Sequence, residues 1–192
     1  NYNMRTVEVM KDDLDAILKE ESDEVKNLYY KLYLENKQKI DSNLFKNRKR
    51  RYLGLLFLVY DMLGYGVKRT ELLKKYGKSF ILTYAIKMKK AIPDLIPKNE
   101  SIKDKLRKYL KNALEKLEIS ENDKERILEK FEKMEINHDD AIRSIHTYSL
   151  YIIYKISKEL GINIKKKELA EVGKISEKAF LLYTAAREKC SQ

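Results

Sequence analysis

The sequence predicts an all-α protein made of two successive repeats of five helices. Apolar residues recur with the period of an α-helix along nearly the whole chain. The 192 residues include only 6 glycines and 2 prolines, which leaves little material for the turns of a β-sheet protein. The single cysteine, Cys190, excludes an internal disulfide framework and a cysteine-based zinc site, and it is typical of a protein in a reducing cytoplasm.

Helix start and stop signals divide the first half of the chain into five predicted helices. Ser22 precedes two acids, which is typical of a helix N-terminus, and Ser79 is predicted to cap the fifth helix. The third helix contains LGLLFLVY, which indicates burial on nearly all sides but is far too short to cross a bilayer. Gly64 and Gly66 are predicted to end it. The five helices are expected at about residues 11–18, 22–39, 49–63, 70–76 and 79–91.

A linker containing Pro93 and Pro97 separates these helices from five more. Ser120 and Ser176 are predicted N-caps, and Gly161 is predicted to end a long central helix. The second set of helices is expected at about residues 102–117, 122–134, 137–161, 166–172 and 176–188.

Two short segments indicate that the second half of the chain duplicates the first. Residues 64–72 read GYGVKRTEL and residues 161–169 read GINIKKKEL. In both, a buried helix must end and the chain must turn sharply into a short helix whose leucine packs in the core. The cations are expected in the turn. The predicted domains are a five-helix repeat at 1–92, a proline-containing linker at 93–101 and a second five-helix repeat at 102–192.

The formal net charge of +11 is concentrated in one window of the sequence. Residues 44–91 contain 13 lysines and arginines against 2 acidic residues, whereas residues 1–43 contain 7 against 10. A basic window of this kind predicts a polyanionic partner. A solvated lysine-rich surface is the alternative, and the charge alone favours neither.

The order of the predicted helices resembles the cyclin-box core of the archaeal and eukaryotic transcription initiation factor B family. KYLKNALEKLEISENDKERILEKFEKM is similar to the first two helices of a family repeat, and SLYIIYKISKELG is similar to its buried central helix. KKKELAEVGKISEKAFLLYTAARE resembles the closing helix-turn-helix. In the first repeat, GVKRTELLKKYGKS resembles the family's Val-Pro-Arg-Thr turn and fourth helix, with Lys68 in place of the proline.

The resemblance implies a non-enzymatic factor that works on promoters. Its implied partners are duplex promoter DNA, the TATA-binding protein and RNA polymerase. In the family, the last helix of the second repeat reads bases in the major groove. Here that helix carries Leu181 and Leu182, Lys178 is the only cation in its first two turns, and Glu177 would repel phosphate. The sequence therefore predicts mainly electrostatic DNA binding in transcription initiation or its regulation.

Candidate DNA-binding residues lie in the two repeated turns, in the cation-rich segment FKNRKRRY and near the starts of the last helices. Arginine and lysine in these places position a protein on the DNA backbone without reading sequence. Turn lysines that only keep loops soluble, and a merely charged helix start, are the alternatives. The predicted residues are Lys46, Arg48, Lys49, Arg50, Arg51, Lys68, Arg69, Lys78, Lys165, Lys166, Lys167 and Lys178.

The sequence contains no recognisable catalytic or metal-binding motif. His138 and His146 are eight residues apart with no further histidine, so we expect no metal site. GYGVKR lacks the spacing of a phosphate-binding glycine loop. We expect no enzymatic activity, no cofactor, no small-molecule substrate and no membrane partner. The alternative function is a cyclin-fold protein-interaction scaffold that does not bind DNA.

Overall fold

The computed structural model describes residues 13–42 and 45–190, and these residues contain helices and no β-strand. This confirms the predicted all-α class. A 3-10 turn at Pro93–Leu95 lies within the predicted linker. The helices are α1, whose described residues are 13–18, α2 (Asp23–Glu35), α3 (Lys37–Ile40), α4 (Arg48–Leu63), α5 (Gly66–Tyr76), α6 (Lys78–Ala91), α7 (Ile102–Glu115), α8 (Glu121–Lys133), α9 (His138–Arg143), α10 (Ile145–Leu160), α11 (Lys166–Gly173) and α12 (Glu177–Cys190).

The chain divides into two compact units. The first unit contains the described residues up to Asp61 together with Leu72–Lys98, and the second contains Met62–Glu71 and the described residues from Asn99 onward. The segment 62–71, which the sequence places in the first repeat, belongs to the second compact unit. The two-repeat cyclin-like arrangement and its boundaries stay a prediction.

The core of the first unit is built on α4, which is buried from Arg51 to Asp61. Leu56 and Phe57 are both in this core, as predicted from the apolar run. The buried face of α6, which contains Ile81 and Met88, contributes to the same core. Helix α4 is apolar on nearly every side because it is surrounded by the rest of the first unit's core. No helix in the described part of the chain is long and apolar enough to cross a membrane.

The core of the second unit surrounds α10, which contacts α7, α8, α9 and α11. Leu150 and Ile153 are fully buried, as predicted. The hydroxyl of Ser101 accepts a hydrogen bond from the backbone N–H of Asp104, whose carboxylate accepts one from the Ser101 N–H, so that a capping box starts α7. The N-caps predicted from sequence are confirmed at Ser22, Ser120 and Ser176.

The two similar segments share local structure after α4 and α10. Gly64 and Gly161 have φ values of +73° and +72°, the left-handed conformation that glycine adopts without strain. The leucines that close the segments, Leu72 and Leu169, are both buried. The prediction that Gly66 helps to end the preceding helix is wrong, because α5 begins at this residue.

Other helix ends differ from the predictions where a side chain or a glycine changes the local backbone. Gly77, with a φ of +101°, is the N-cap of α6, so Ser79 lies inside the helix and does not cap it. The helix expected at 22–39 is interrupted at Asn36, whose side-chain amide donates to the carbonyl of Leu32. The long helix expected at 137–161 is interrupted at Ser144.

Candidate nucleic-acid interface

The N-terminal turns of α4 and α6 meet in the first unit. The guanidinium of Arg50, in the first turn of α4, lies 4.7 Å from the ring centroid of Phe80, in the first turn of α6. The backbone N–H of Arg50 donates to Asn47 Oδ1 at 3.0 Å, which caps the start of α4. Neither first turn contains an acidic residue, whereas α2 begins with Asp23 and Glu24. Since a helix N-terminus carries partial positive charge, this junction is suited to an anion.

The C-terminal end of α5 adds cations to the same region. The ammonium groups of Lys49 and Lys75 lie 5.4 Å and 5.1 Å from the centroid of the Tyr76 ring. The two charges are therefore no farther apart than roughly the 10 Å Debye length of 0.1 M salt, so they repel each other. The ring attracts each cation weakly, by about 0.5–1 kcal/mol at an exposed site, and holds both on one surface.

We call Lys46, Lys49, Arg50, Lys75 and Lys78 the basic patch. All five side chains are exposed. Within the described part of the chain, none of the five forms an ion pair. The patch therefore combines five positive charges that pair with no acid in the described part of the chain, two helix N-termini and two half-buried aromatic rings, a combination typical of surfaces that bind nucleic acid.

Two of the predicted DNA-binding residues in the segment FKNRKRRY form contacts within the protein instead. Arg48 forms an ion pair with Asp13 at 3.0 Å. Arg51 is buried, with only 8% of its side chain exposed, and donates to the carbonyl of Phe45 at 2.9 Å and to Asp41 at 3.2 Å. Arg51 thus holds the segment before α4 against the core, and we do not propose it as a DNA contact.

Asp41 is the centre of the network that holds Arg51. The hydroxyls of Tyr33 and Tyr52 donate to its carboxylate at 2.6 Å and 3.2 Å. Burial, followed by the hydrogen bond to Asp41, raises the pKa of Tyr33 well above its ordinary value. The tyrosine therefore stays protonated and donates to the carboxylate across the physiological pH range.

The other predicted cations lie in the second unit and have mixed surroundings. Arg69 donates to the hydroxyl of Tyr109 at 3.1 Å, and its guanidinium lies 5.5 Å from the ring centroid. Lys166 lies 3.9 Å from a carboxylate oxygen of Glu188. The side chains that the structure leaves exposed are those of Lys68, Lys165, Lys167 and Lys178.

The surface around Lys178 on α12 is apolar. Leu181 and Leu182 are 42% and 65% exposed and, with Ala185, line a shallow depression beside the lysine. Base edges in the major groove are read by hydrogen-bond donors and acceptors. This face of α12 offers few of them, as the sequence indicates.

Sequence reasoning missed three members of this site, Lys75, Tyr76 and Phe80. They belong to the segment KKYGKSF at residues 74–80, where cations alternate with aromatic residues around a glycine. This alternation is a signal for nucleic-acid binding that could have identified them. It is weak in the sequence because aromatic residues at helical spacing more often fill a core.

Among the described residues, no group of three or more histidine, cysteine, aspartate or glutamate side chains could bind a metal ion. The buried ring of His146 donates from Nε2 to the carbonyl of Gly173 at 2.7 Å, and it therefore has a structural role. No protein-family model, no curated protein and no solved structure matches the chain.

Proposed function

We propose that this protein binds duplex DNA through the basic patch and acts in transcription initiation or its regulation, as a cyclin-like relative of the transcription initiation factor B family. The observation that supports DNA binding is the convergence of cations from the start of α4, the end of α5 and the start of α6, where none of them pairs with an acid among the described residues. The resemblance of the helix order to the family supports the role at promoters.

Neutralisation of backbone phosphates supplies most of the binding free energy in this proposal. Each phosphate that a lysine or arginine neutralises releases condensed counterions, so log K falls against log salt with a slope of about −0.9 per contact on B-DNA. If all five cations of the basic patch engage, the slope is about −4 to −5. Contacts of this kind fix the position of the protein without specifying a sequence.

We expect little discrimination between unrelated duplexes. The face of α12 around Leu181 and Leu182 is apolar, so the helix that reads bases in the family offers few polar groups here. Lys178→Gln should change affinity little, because this lysine lies beside Glu177 and is the single cation among the described residues that line this face. A strong sequence preference that disappears in Lys178→Gln would contradict mainly electrostatic binding.

The test is fluorescence anisotropy of a labelled duplex between 50 and 200 mM salt, with the wild type and two doubly substituted variants. Lys49→Gln/Arg50→Gln removes two charges of the basic patch. Lys31→Gln/Lys37→Gln removes two exposed cations of α2 and α3 that form no ion pair within the described residues. We expect the first variant to make the slope shallower by nearly 2 units, and the matched control to leave it within about half a unit.

Equal losses in the two variants would show that only net charge matters and would remove the basic patch from the proposal. The absence of any duplex binding at 50 mM salt would overturn the DNA-binding function itself. A salt-independent interaction would also contradict it, because phosphate neutralisation requires a salt dependence.

The second candidate function is a protein-interaction scaffold. The exposed leucines of α12 favour it, since a shallow apolar depression is a common feature of surfaces that bind proteins. Co-precipitation of the full-length protein with the TATA-binding protein and RNA polymerase, compared with a Leu182→Glu variant, tests this role. Loss of a defined partner in Leu182→Glu, together with no DNA binding by the wild type, would favour the scaffold.

A further inference from the structure

Helix α12 presents apolar side chains to solvent as well as to the core. Phe180 and Thr184 are fully buried in the second unit, whereas Leu181 and Leu182 are 42% and 65% exposed. Ala185 lines the same shallow depression as the two leucines. We call Leu181, Leu182 and Ala185 the apolar face. Adjacent exposed leucines on a helix that is already anchored by its other side indicate a surface that a second molecule covers.

The charged residues of α12 are divided between the two sides of the apolar face. Helical spacing places Glu177 and Glu188 on one side, next to Leu181. Lys178 and Lys189 lie on the other side. The apolar face therefore has an acidic side and a basic side, and each side carries one charge in the first turn and one in the last turn of the helix.

These charges are available to a second molecule. Glu177, Lys178 and Lys189 are exposed, and none of the three forms an ion pair within the described residues. The carboxylate oxygens of Glu188 lie 3.8 Å and 3.9 Å from the ammonium groups of two lysines on α10 and α11. These contacts are long, and the Glu188 side chain remains 40% exposed.

A second copy of α12 matches this distribution of charge when the two helices run parallel. A two-fold axis along the helix direction places the acidic side of each copy against the basic side of the other. Glu177 then faces the partner's Lys178. Glu188 likewise faces the partner's Lys189, and the leucines of the two copies meet between these pairs. In an antiparallel pair the acidic sides would face each other, which disfavours that arrangement.

We propose that two copies of this protein associate through their apolar faces, with the α12 helices parallel about a two-fold axis. The charged pairs on both sides set the orientation, and burial of the leucines stabilises the contact. One helix face buries less than the total of about 1,200 Å² found in stable specific interfaces, so the dimer should be weak. The proposal does not depend on DNA binding, since the basic patch lies in the first unit and α12 lies in the second.

The first test compares two leucines of equal exposure by sedimentation equilibrium of the full chain, from about 10 to about 500 μM. Leu182 is 65% exposed on α12, and Leu34 is 66% exposed on α2. The wild type should form a dimer whose fraction increases with concentration. Leu182→Glu should weaken the dimer by at least about tenfold, because a carboxylate from each copy would be buried against leucines. Leu34→Glu should leave the dimer unchanged, and both variants should keep the wild-type Tm because the replaced side chains are exposed.

Reversal of charge tests the orientation of the two helices. Glu177→Lys places a lysine opposite the partner's Lys178, and Lys178→Glu places a glutamate opposite the partner's Glu177. Each variant should weaken the dimer by roughly two- to tenfold, because the two-fold axis repeats the unfavourable pair. The double variant Glu177→Lys/Lys178→Glu again has opposite charges across the interface, so its dissociation constant should return to within about twofold of the wild type.

A wild-type protein that stays monomeric at every concentration would overturn the proposal, whatever other protein the apolar face binds. A dimer that Leu182→Glu weakens no more than Leu34→Glu does would overturn it as well, because its interface would lie elsewhere. The parallel arrangement is overturned if the single charge variants dimerise like the wild type, or if the double variant is as weak as they are. Lys49→Gln/Arg50→Gln should dimerise like the wild type, so a failure of self-association leaves the proposed DNA binding standing.

Discussion

Arg50 and Arg51 are adjacent arginines for which we expect opposite effects when each is replaced by glutamine. Arg51 is buried and paired with Asp41, so its replacement leaves a carboxylate that is only 14% exposed without its cation. Breaking a buried ion pair on one side typically costs about 3–5 kcal/mol. We expect the lower end of this range, about 3 kcal/mol, because Asp41 keeps the hydroxyls of Tyr33 and Tyr52. For a chain of this length that corresponds to a fall of roughly 6–12 °C in Tm.

Arg50→Gln should have little effect on folding and a measurable effect on binding. Its exposed guanidinium loses only the contact with the Phe80 ring, which is worth about 0.5–1 kcal/mol at an exposed site. The Tm should therefore fall by no more than about 4 °C. The slope of log K against log salt should become shallower by about 0.9, because one phosphate contact is lost.

Thermal unfolding followed by circular dichroism and duplex titration by anisotropy, both at the same salt, separate the two effects. Binding of Arg51→Gln is measured well below its own Tm, where it should match the wild type. The reasoning is refuted if Arg50→Gln destabilises the protein as much as Arg51→Gln does. It is equally refuted if folded Arg51→Gln loses DNA affinity while Arg50→Gln keeps it.

Three further predictions concern the core and the buried histidine. Phe57→Ala and Ile153→Ala should each lower the free energy of unfolding by about 2–5 kcal/mol in urea titrations, and an unchanged midpoint in both would mean that the buried faces are misassigned. Gly66→Ala should cost about 3 kcal/mol, because its Cβ would overlap the ring of His146. Gly161→Ala has open space and a φ of +72°, so it should cost only about 1 kcal/mol, and equal losses in the two glycine variants would contradict this contrast. Because burial lowers the pKa of His146 to about 4 from about 6.5 in the unfolded chain, its contribution is fully present above pH 6.5 and is lost as the pH falls towards 4. Urea unfolding should show a loss of about 3 kcal/mol over this range that His146→Gln lacks, and an unchanged pH profile in the variant would refute it.

Helices that are buried on nearly all sides, or along one regular apolar face, could be predicted from the sequence. The apolar run of α4 and the period of α10 were sufficient to place Leu56 and Leu150 in the core. Short polar side chains before acidic first turns were sufficient for the caps at Ser22 and Ser120. In these places local pattern and tertiary packing favour the same structure.

The prediction failed where tertiary contacts decide the local structure. Gly66 has the sequence signature of a helix end, but α5 begins at this residue, and its backbone packs against the ring of His146, 80 residues later. Arg51 is one of a run of cations, and only its partner Asp41 distinguishes it from Arg50. No local pattern encodes these neighbours.

The distribution of ion pairs along the chain favours an anionic partner over a merely soluble lysine-rich surface. A soluble surface of the ordinary kind exists in the second unit, where Arg107 pairs with Glu132 and Lys130 pairs with Glu159. In the basic patch no described acid accompanies the cations, and Arg50 lies in the first turn of a helix, where a cation opposes the dipole by about 0.3–1 kcal/mol. Solubility alone requires neither feature, since interspersed charges of both signs provide it. A partner that brings negative charge to this surface offsets both the repulsion among the cations and the opposition between Arg50 and the helix dipole. We therefore expect the basic patch to account for most of the salt dependence of DNA binding.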